Sequence, residues 1–231
     1  MARFVLVHGA WHGGWCFAEV VRELEALGHT AVAPDLPCED ASQTQLDYAA
    51  LLGDCRDAVV VGHSLGAQTI AHVDAARHVY LAALLPVESV FEHAFVAGFG
   101  GFVRDDADRS YWPDAATAAR GMYPDCTREQ SDWAFAQLLH QARITPLARP
   151  FRPDDVVIAT ARDAALDFGW QKQTAKEHPS RWSSSTPATR PSSRNPWSSP
   201  ACSPPSPDRP ASRTTRSDTS TTGAASRRNS A

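Results

Sequence analysis

The C-terminal part of this sequence lacks the aliphatic side chains from which a hydrophobic core is built. The 52 residues from Ser180 to Ala231 include no Leu, Ile, Val, Met, Phe or Tyr, and Ser and Pro make up 23 of them. Such a segment cannot bury enough apolar surface to offset the entropy that ordering costs. We therefore expect residues 1–179 to form the folded domain and residues 180–231 to form a disordered, low-complexity tail.

Cysteine is scarce, and long apolar runs are absent. The five cysteines are odd in number and include no C-x-x-C pair, which favours reduced thiols over a disulfide framework. No basic segment followed by an apolar run opens the chain, and no apolar run has the length that a membrane span requires. These absences predict a cytoplasmic protein that does not bind a membrane.

Clustered positive charge is also lacking. The tail carries eight Arg and two Asp, a net charge of +6, which leaves residues 1–179 with a net charge of −10. Nucleic-acid binding requires clustered Lys and Arg that neutralise phosphates. The acidic domain therefore argues against a nucleic-acid partner, and the arginines of the tail are too scattered to form a basic patch.

Short apolar runs alternate with helical periodicity along residues 1–178. Residues 4–7, "FVLV", end at His-Gly, which is typical of a strand buried on both faces. Further strands are predicted over 30–33, 58–61, 78–84 and 156–160, and helices over 16–29, 41–52, 64–76 and 166–178. This alternation predicts an α/β fold with a mostly parallel sheet and helices on both faces.

Residues 87–150 interrupt the alternation and are predicted to form a small cap inserted into the domain. They contain "GFGGF", "YWPD", "MYPD" and the helical stretch "REQSDWAFAQLLHQ". Aromatic residues in this segment either line an apolar pocket or form the core of the cap itself. They are Phe99, Phe102, Tyr111, Trp112, Trp133 and Phe135.

The motif Gly62-His63-Ser64-Leu65-Gly66 lies between a predicted strand and a predicted helix. In that setting G-x-S-x-G is the nucleophile elbow, a turn so tight that only glycine is tolerated on either side of it. It presents the serine hydroxyl at a helix N-terminus, which favours developing negative charge. Ser64 is therefore the candidate nucleophile, and the N–H of Leu65 is a candidate donor to an oxyanion.

The loop after the first predicted strand supplies the second part of a site. There Gly9, in "HGAW", allows a close approach of the backbone, which would provide the other oxyanion donor. His8 and His12 are four residues apart, but no carboxylate accompanies them on this predicted loop, so no metal site is expected. Asp163 follows the strand 156–160, where a triad acid would orient a histidine. An aspartate in that place is also an ordinary loop residue or helix cap.

Five segments of the sequence together resemble the α/β-hydrolase superfamily. They are "FVLVHGAWHGGWCF", "LEALGHTAVAPDLP", "VVVGHSLGAQTIA", "VYLAALLP" and "VVIATARD". They are most similar to the branch that holds plant methylesterases, hydroxynitrile lyases and their bacterial relatives. The resemblance runs from residue 3 to residue 178 and implies the α/β-hydrolase fold. It implies a small ester as substrate and neither a metal nor an organic cofactor. The roles implied at matching positions are nucleophile for Ser64, triad acid for Asp163, oxyanion donors for Ala10 and Leu65, and substrate binding for Gly9, Trp11 and His63.

The same resemblance calls for a further strand, a Gly-His pair and a closing helix after residue 178. The sequence contains none of these, and all nine histidines lie at or before His178. His178 precedes the place of that strand, and His8 and His63 belong to motifs with backbone roles. We therefore expect the last strand and helix to be absent and the triad histidine to be lost.

A shifted reading frame would explain the loss. GC-rich codons chosen for residues 181–196, when read two bases later, encode V-V-E-L-D-T-G-H-S-P-F-F-S-Q-P, which has the strand, the Gly-His turn and the helix entry. Ser and Arg have six codons each, so this decoding is one choice among several. The competing hypothesis, a genuine disordered tail, leaves the missing strand unexplained.

Several functions stay open at this stage. A chain without its base is expected to hydrolyse model esters poorly or not at all. Within the resembled branch, hydroxynitrile lyases have Thr in the position of Gly9, so Gly9 favours an esterase over a cofactor-free lyase. The sequence is also compatible with a catalytically dead ligand-binding homologue, and with an unstable product in which lost edge elements expose apolar sheet. The identity of the ester and the oligomeric state, a homodimer included, are not predicted.

Overall fold

The computed structural model describes residues 1–88, 90–177 and 181–185. Within these ranges the strands are β1 (Arg3–Val7), β2 (Thr30–Val32), β3 (Cys55–Ser64), β4 (Ala75–Ala83), β5 (Val103–Arg104), β6 (Ser110–Tyr111), β7 (Val156–Thr160) and β8 (Arg181–Ser185). A 3₁₀ turn covers Gly14–Phe17. The helices are α1 (Ala18–Ala26), α2 (Gln45–Leu51), α3 (Gly66–Ile70), α4 (Val90–His93), α5 (Ala115–Met122), α6 (Arg128–Phe135) and α7 (Phe168–Glu177).

Six of these strands form one sheet in the order β2-β1-β3-β4-β7-β8. Every neighbouring pair in it is parallel. Parallel neighbours require crossover connections, and the chain supplies them with helices between successive strands. The predicted mostly parallel α/β architecture is confirmed.

The sheet is buried on both faces, as the short apolar runs predicted. Alternate residues of β1 point to opposite faces. Val5 and Val7 enter one core cluster together with Val60 of β3, whereas Leu6 enters a second cluster with Cys16 and Phe17. All six side chains are almost fully buried. Burying each of the larger ones stabilises the fold by about 1.5–3 kcal/mol.

Helix α3 is shorter than the helix predicted over 64–76, and β4 begins earlier than predicted. The N–H groups of His72 and Val73 bond three residues back, to Thr69 and Ile70, which tightens the last turn and ends the helix. The carbonyl of Val73 then accepts a hydrogen bond of 3.0 Å from the imidazole of His78. This bond, between residues 73 and 78, holds the chain in a reversal that hydrophobic periodicity does not encode.

Residues 181–185 differ from the expectation of a tail without structure. They form β8, which pairs in parallel with β7 so that Arg181 lies opposite Val156 and Ser185 opposite Thr160. The expected absence of the last strand is therefore wrong for this part of the chain. Backbone N–H and C=O groups pair at a sheet edge whatever the side chains are, so a segment without aliphatic residues can still extend the sheet. The described residues do not include His178, residues 179–180 or residues 186–231. The prediction that the closing helix is absent falls on these residues and therefore stays a prediction.

The segment between β4 and β7 contains the short hairpin of β5 and β6 together with helices α4, α5 and α6. Asp114 caps α5 by accepting from the N–H of Thr117, and Thr127 forms a capping box with Gln130 at α6. Both helices thus begin at residues that satisfy their first backbone donors. This segment is the one that the sequence predicts as a cap.

Three of the cysteines, Cys16, Cys38 and Cys55, are buried free thiols. Burial raises the pKa of Cys38 to about 12 and raises that of Cys16 further still, so both remain protonated and unreactive. In the described part of the chain, no helix combines the length and apolar character needed to cross a bilayer.

Candidate active site

A cavity of about 900 Å³ opens where the carboxyl ends of the parallel strands meet. The loops after β1, β3 and β7 all reach it, because parallel strands end at the same edge of a sheet. All seven residues that the sequence singles out line this one cavity. They are Gly9, Ala10, Trp11, His63, Ser64, Leu65 and Asp163.

Ser64 occupies a strained turn between β3 and α3. Its φ of +51° lies in the left-handed region, which a non-glycine residue rarely adopts. The turn is also closely packed on either side of the serine. A Cβ on Gly66 would lie 2.5 Å from the carbonyl oxygen of Val7, and one on Gly62 would lie 2.9 Å from the backbone of Ala67. Glycine is therefore required at both positions, which is the geometry of a nucleophile elbow.

Gly9 brings the loop after β1 against the nucleophile. A Cβ at this residue would stand 2.9 Å from the Cβ of Ser64 and 3.3 Å from Nδ1 of His63. Real Cβ atoms essentially never approach another heavy atom within 3.0 Å. The absence of a side chain at residue 9 thus permits the backbone of this loop to approach Ser64 closely.

The two expected oxyanion donors are unpaired. Among the described residues, neither the N–H of Ala10 nor that of Leu65 has a hydrogen-bond acceptor. Nδ1 of His8 lies 2.9 Å from the carbonyl oxygen of Gly9 and must donate to it, while Nε2 of His8 accepts from the N–H of Leu36 at 2.9 Å. Because the peptide between Gly9 and Ala10 is trans, the N–H of Ala10 points away from the side on which His8 holds that carbonyl.

Asp163 presents a fully engaged carboxylate three residues after β7. Thr160 donates its hydroxyl to Oδ2 at 2.5 Å, and the N–H groups of Ala165 and Leu166 each donate to Oδ1 at 2.9 Å. These bonds orient the carboxylate. Asp163 therefore shapes its own loop, as an ordinary turn residue would, and also lines the cavity.

The imidazole of His63 is enclosed beside the nucleophile. Its edge meets the ring of Phe17, with ring centroids 6.4 Å apart, and its Nδ1 has no solvent access and no hydrogen-bond partner in the described ranges. Burial lowers the pKa of His63, and the negative charge of Asp163 opposes that change only in part. The ring is consequently neutral at physiological pH.

No general base is in place in the part of the chain that the structure describes. Within it the hydroxyl of Ser64 forms no hydrogen bond with an imidazole or with any other group, including the neighbouring His63. The site as described therefore holds the candidate nucleophile Ser64, the two candidate oxyanion donors and the carboxylate of Asp163.

Aromatic rings form one wall of the cavity. Phe95 and Phe99 stack with centroids 5.2 Å apart, and Phe102 contacts both Trp11 at 5.2 Å and Trp112 at 5.9 Å. Phe95, Phe99 and Phe102 line the cavity, so for Phe99 and Phe102 the pocket role is confirmed. Sequence reasoning missed Phe95, although a phenylalanine at every fourth position of residues 91–99 is a visible signal.

The other cap aromatics have structural positions. Trp133 packs on Trp15 at 5.4 Å within a core cluster, and Tyr111 stacks on His140 at 4.4 Å. Trp133 and Tyr111 therefore pack within the protein, as predicted for residues that form the core of the cap rather than line the pocket.

His8 and His12 do not offer free metal ligands. Both ring nitrogens of His8 bond to backbone groups, and those of His12 bond to the carbonyl of Ala10 and the hydroxyl of Tyr123. Among the described residues, no group of three or more His, Cys, Asp or Glu side chains is placed to hold a metal ion.

Comparison with known proteins identifies the family to which the chain belongs. The pattern of the "Alpha/beta hydrolase family" matches residues 4–213. Methylesterase 7 of Arabidopsis thaliana is 37% identical over 103 residues, which cover 42% of this chain and 40% of that protein. The carbendazim hydrolyzing esterase of Nocardioides sp. (strain SG-4G) is 36% identical over 87 residues, which cover 32% of this chain and 36% of that protein.

Among solved structures, that of polyneuridine aldehyde esterase superposes with a TM-score of 0.63 at 17% identity, over 80% of this chain and 90% of that one. This likeness shows the fold. The chain matches 40% or less of the length of each of these two curated relatives. The family pattern, however, covers most of the sequence. The chain belongs to the alpha/beta hydrolase family.

Proposed function

We propose that this chain is a serine hydrolase of the carboxylesterase type, built to act on a small ester through Ser64. The observation that carries the proposal is the strained elbow at Ser64, packed against the loop of Gly9. Membership of the family supports it, as do the methylesterase and esterase names of the relatives that match part of the chain.

In the proposed reaction the hydroxyl oxygen of Ser64 attacks the ester carbonyl. The N–H groups of Ala10 and Leu65, which have no other acceptor in the described structure, donate to the oxyanion that forms. A histidine accepts the proton of Ser64 and returns it to the leaving alcohol, and Asp163 orients that histidine and stabilises its cation. Water then hydrolyses the acyl-enzyme by the same steps.

We further propose that the triad histidine is lost from this chain through a shift of reading frame. All nine histidines lie at or before residue 178, whereas the base is needed after the strand that follows Asp163. The pairing of residues 181–185 with β7 is compatible with this hypothesis, because the shifted frame encodes the apolar strand "VVELD" in the same place. Without the base, catalysis is expected to fall by about 10²–10⁴-fold.

Residue 9 favours ester hydrolysis over cofactor-free lyase activity. A Cβ on Gly9 would meet the Cβ of Ser64 at 2.9 Å. The Thr that hydroxynitrile lyases have in this position would therefore require the loop or the serine to shift. This local packing supports the interpretation of the site as that of an esterase.

Hydrolysis of p-nitrophenyl butyrate tests the proposal. We expect the unaltered chain to show little turnover, and we expect added imidazole to raise its rate about tenfold by supplying a diffusible base. The control is Ser64→Ala, which corrects for direct reaction of imidazole with the ester and should show no enzymatic increment. Rapid Ser64-dependent turnover without imidazole would contradict the loss of the base. Equal rates for the unaltered chain and Ser64→Ala with imidazole would contradict the role of Ser64.

A further inference from the structure

A second histidine of the "HGAWH" loop forms a hydrogen-bonded link that crosses from the body of the protein to the cap. Nδ1 of His12 lies 2.7 Å from the carbonyl oxygen of Ala10, and its Nε2 lies 2.9 Å from the hydroxyl of Tyr123. His12 and Tyr123 are 6% and 2% exposed. The ring of His12 also stacks on Trp15, with centroids 5.3 Å apart.

The direction of each hydrogen bond in this link follows from its chemistry. A carbonyl oxygen only accepts, so Nδ1 of His12 carries a proton and donates it to Ala10. Burial lowers the pKa of His12 to about 3, so the ring is neutral and its Nε2 is an acceptor. Burial also raises the pKa of Tyr123, so the phenol keeps its proton and donates it to Nε2. The order is therefore Tyr123 to His12 to the carbonyl of Ala10.

Ser110 and Leu139 of the cap hold Trp11, the residue that lies between Ala10 and His12 in the same loop. Trp11 has a φ of +64°, which is strained for a residue with a side chain. Its indole Nε1 donates to Ser110, at 3.2 Å to the carbonyl oxygen and 3.1 Å to the hydroxyl. Its carbonyl accepts from the N–H of Leu139 at 2.8 Å. The strained conformation is thus held from the cap, because Ser110 and Leu139 both belong to residues 87–150.

We infer that Tyr123, the residue that directly follows α5, is a positioning residue for the oxyanion loop and acts on Ala10 through His12. His8 holds the carbonyl of Gly9, and His12 holds that of Ala10. The first bond holds the peptide plane that contains the N–H of Ala10, and the second holds the plane that follows the Cα of Ala10. His8 thus sets the direction of that N–H, and His12 restrains Ala10 from its other side. This inference rests on the proposed function, since it assigns the purpose of the link to the oxyanion donor Ala10.

Two measurements on Tyr123→Phe test the inference. The first uses NMR of the free protein and needs no catalysis: we expect shifts of the His12 ring nitrogens and of the amides of Ala10 and Trp11. The second uses phenylboronic acid as the probe. The oxygen of Ser64 bonds to boron and its proton passes to the buffer, which leaves a tetrahedral boronate anion in place of the oxyanion.

We expect Tyr123→Phe to weaken boronate binding about tenfold, which is the effect of one misplaced hydrogen-bond donor to an anion. Binding of acetophenone, which fills the cavity without a charged oxygen, should stay unchanged. The matched control is Tyr48→Phe, since Tyr48 is equally buried and donates to the carbonyl of Pro37 at 3.3 Å, away from Ala10. If Tyr123→Phe does not fold, His12→Asn takes its place in both measurements, because it removes the imidazole that joins Tyr123 to the carbonyl of Ala10.

The outcomes separate the inference from the proposed function. Unchanged NMR signals in Tyr123→Phe, or equal boronate affinity of Tyr123→Phe and the unaltered chain, would overturn the inference. An equal loss for boronate and acetophenone would also overturn it, because that pattern indicates a general structural effect. If Ser64→Ala binds the boronate as well as the unaltered chain does, then the proposed function itself fails, and the inference fails with it.

Discussion

At the scale of single residues, three imidazoles near the nucleophile are kept neutral by burial. Burial lowers the pKa values of His8, His12 and His63. As neutral rings, His8 and His12 each have one donor and one acceptor, and both donate to a carbonyl of the oxyanion loop. The sequence predicts a backbone role for His8. It offers no sign of the role of His12, because Tyr123 lies 111 residues away.

Mild acid is expected to destabilise the folded chain through these histidines. An unfolded histidine binds a proton below pH 6.5, whereas folded His12 stays neutral down to about pH 3. Its contribution is therefore complete above pH 6.5 and is lost as the pH falls through that window. At pH 5 the loss from His12 is about 2 kcal/mol. Urea unfolding of the unaltered chain and of His12→Asn at pH 7 and pH 5 measures this loss. Between the two pH values, the free energy of unfolding should fall by about 2 kcal/mol less in His12→Asn than in the unaltered chain. An equal fall in both proteins would contradict the prediction.

At the scale of elements, a buried polar pair joins β4 to the start of β7. Nδ1 of His78 lies 3.0 Å from Oδ1 of Asp155, and its Nε2 donates to the carbonyl of Val73 at 3.0 Å. The second oxygen of Asp155 accepts from the N–H of Arg152 at 2.9 Å. Both side chains are 2% exposed. This pair aligns the strand whose loop carries Asp163 with the strand beside the nucleophile.

Asp155→Ala is expected to destabilise the fold by about 3 kcal/mol, because it leaves a buried imidazole without its partner. The control is Asp154→Ala, the neighbouring carboxylate, which has no hydrogen bond or ion pair among the described residues; we expect its effect to stay within about 0.5 kcal/mol. Chemical denaturation of the two variants and the unaltered chain gives the comparison. Similar stabilities for both variants would show that the pair does not stabilise the sheet.

At the scale of the whole molecule, the chain combines the candidate site around Ser64 with a C-terminal segment whose composition differs from that of the domain. The strands that deliver Ser64, Ala10 and Asp163 are in place, and the cavity that they share is formed. The segment after residue 180 nevertheless pairs at 181–185 with the edge of the sheet. The described residues place no base beside Ser64, and under the proposed frameshift the other reading frame would encode a Gly-His turn at that place in the fold.

Replacing residues 181–195 with "VVELDTGHSPFFSQP" is therefore expected to raise kcat/KM for p-nitrophenyl butyrate about a hundredfold, by restoring a general base. The matched control carries alanine in place of the introduced histidine and should lose the gain while folding equally well. No gain in the restored chain, or the same gain in its alanine control, would contradict the frameshift hypothesis. Resequencing the gene across the codons for residues 178–190 tests the same hypothesis independently.

Much of the fold was predictable because its signals are local. The strand 156–160 has its predicted bounds. Helix α1 lies within the range predicted for it and is followed by Gly28, whose φ of +81° is the conformation that ends many helices. Predictions failed where hydrogen bonds rather than hydrophobic periodicity decide. The reversal after α3 is held by the bond between His78 and Val73, and β8 forms by pairing with the edge of β7. Backbone pairing at that edge needs no aliphatic side chain, so composition did not indicate it.

The sequence by itself predicted Ser64 as the candidate nucleophile and determined the tight turn that presents it, because the steric demand for glycine at residues 62 and 66 acts within that one turn. It also determined the absence of a histidine after residue 178, which is a fact of composition. Only the tertiary structure decided how the oxyanion loop is held. The hydrogen bonds from Ser110, Tyr123 and Leu139 join segments about a hundred residues apart, and such contacts form only when the cap packs onto the sheet.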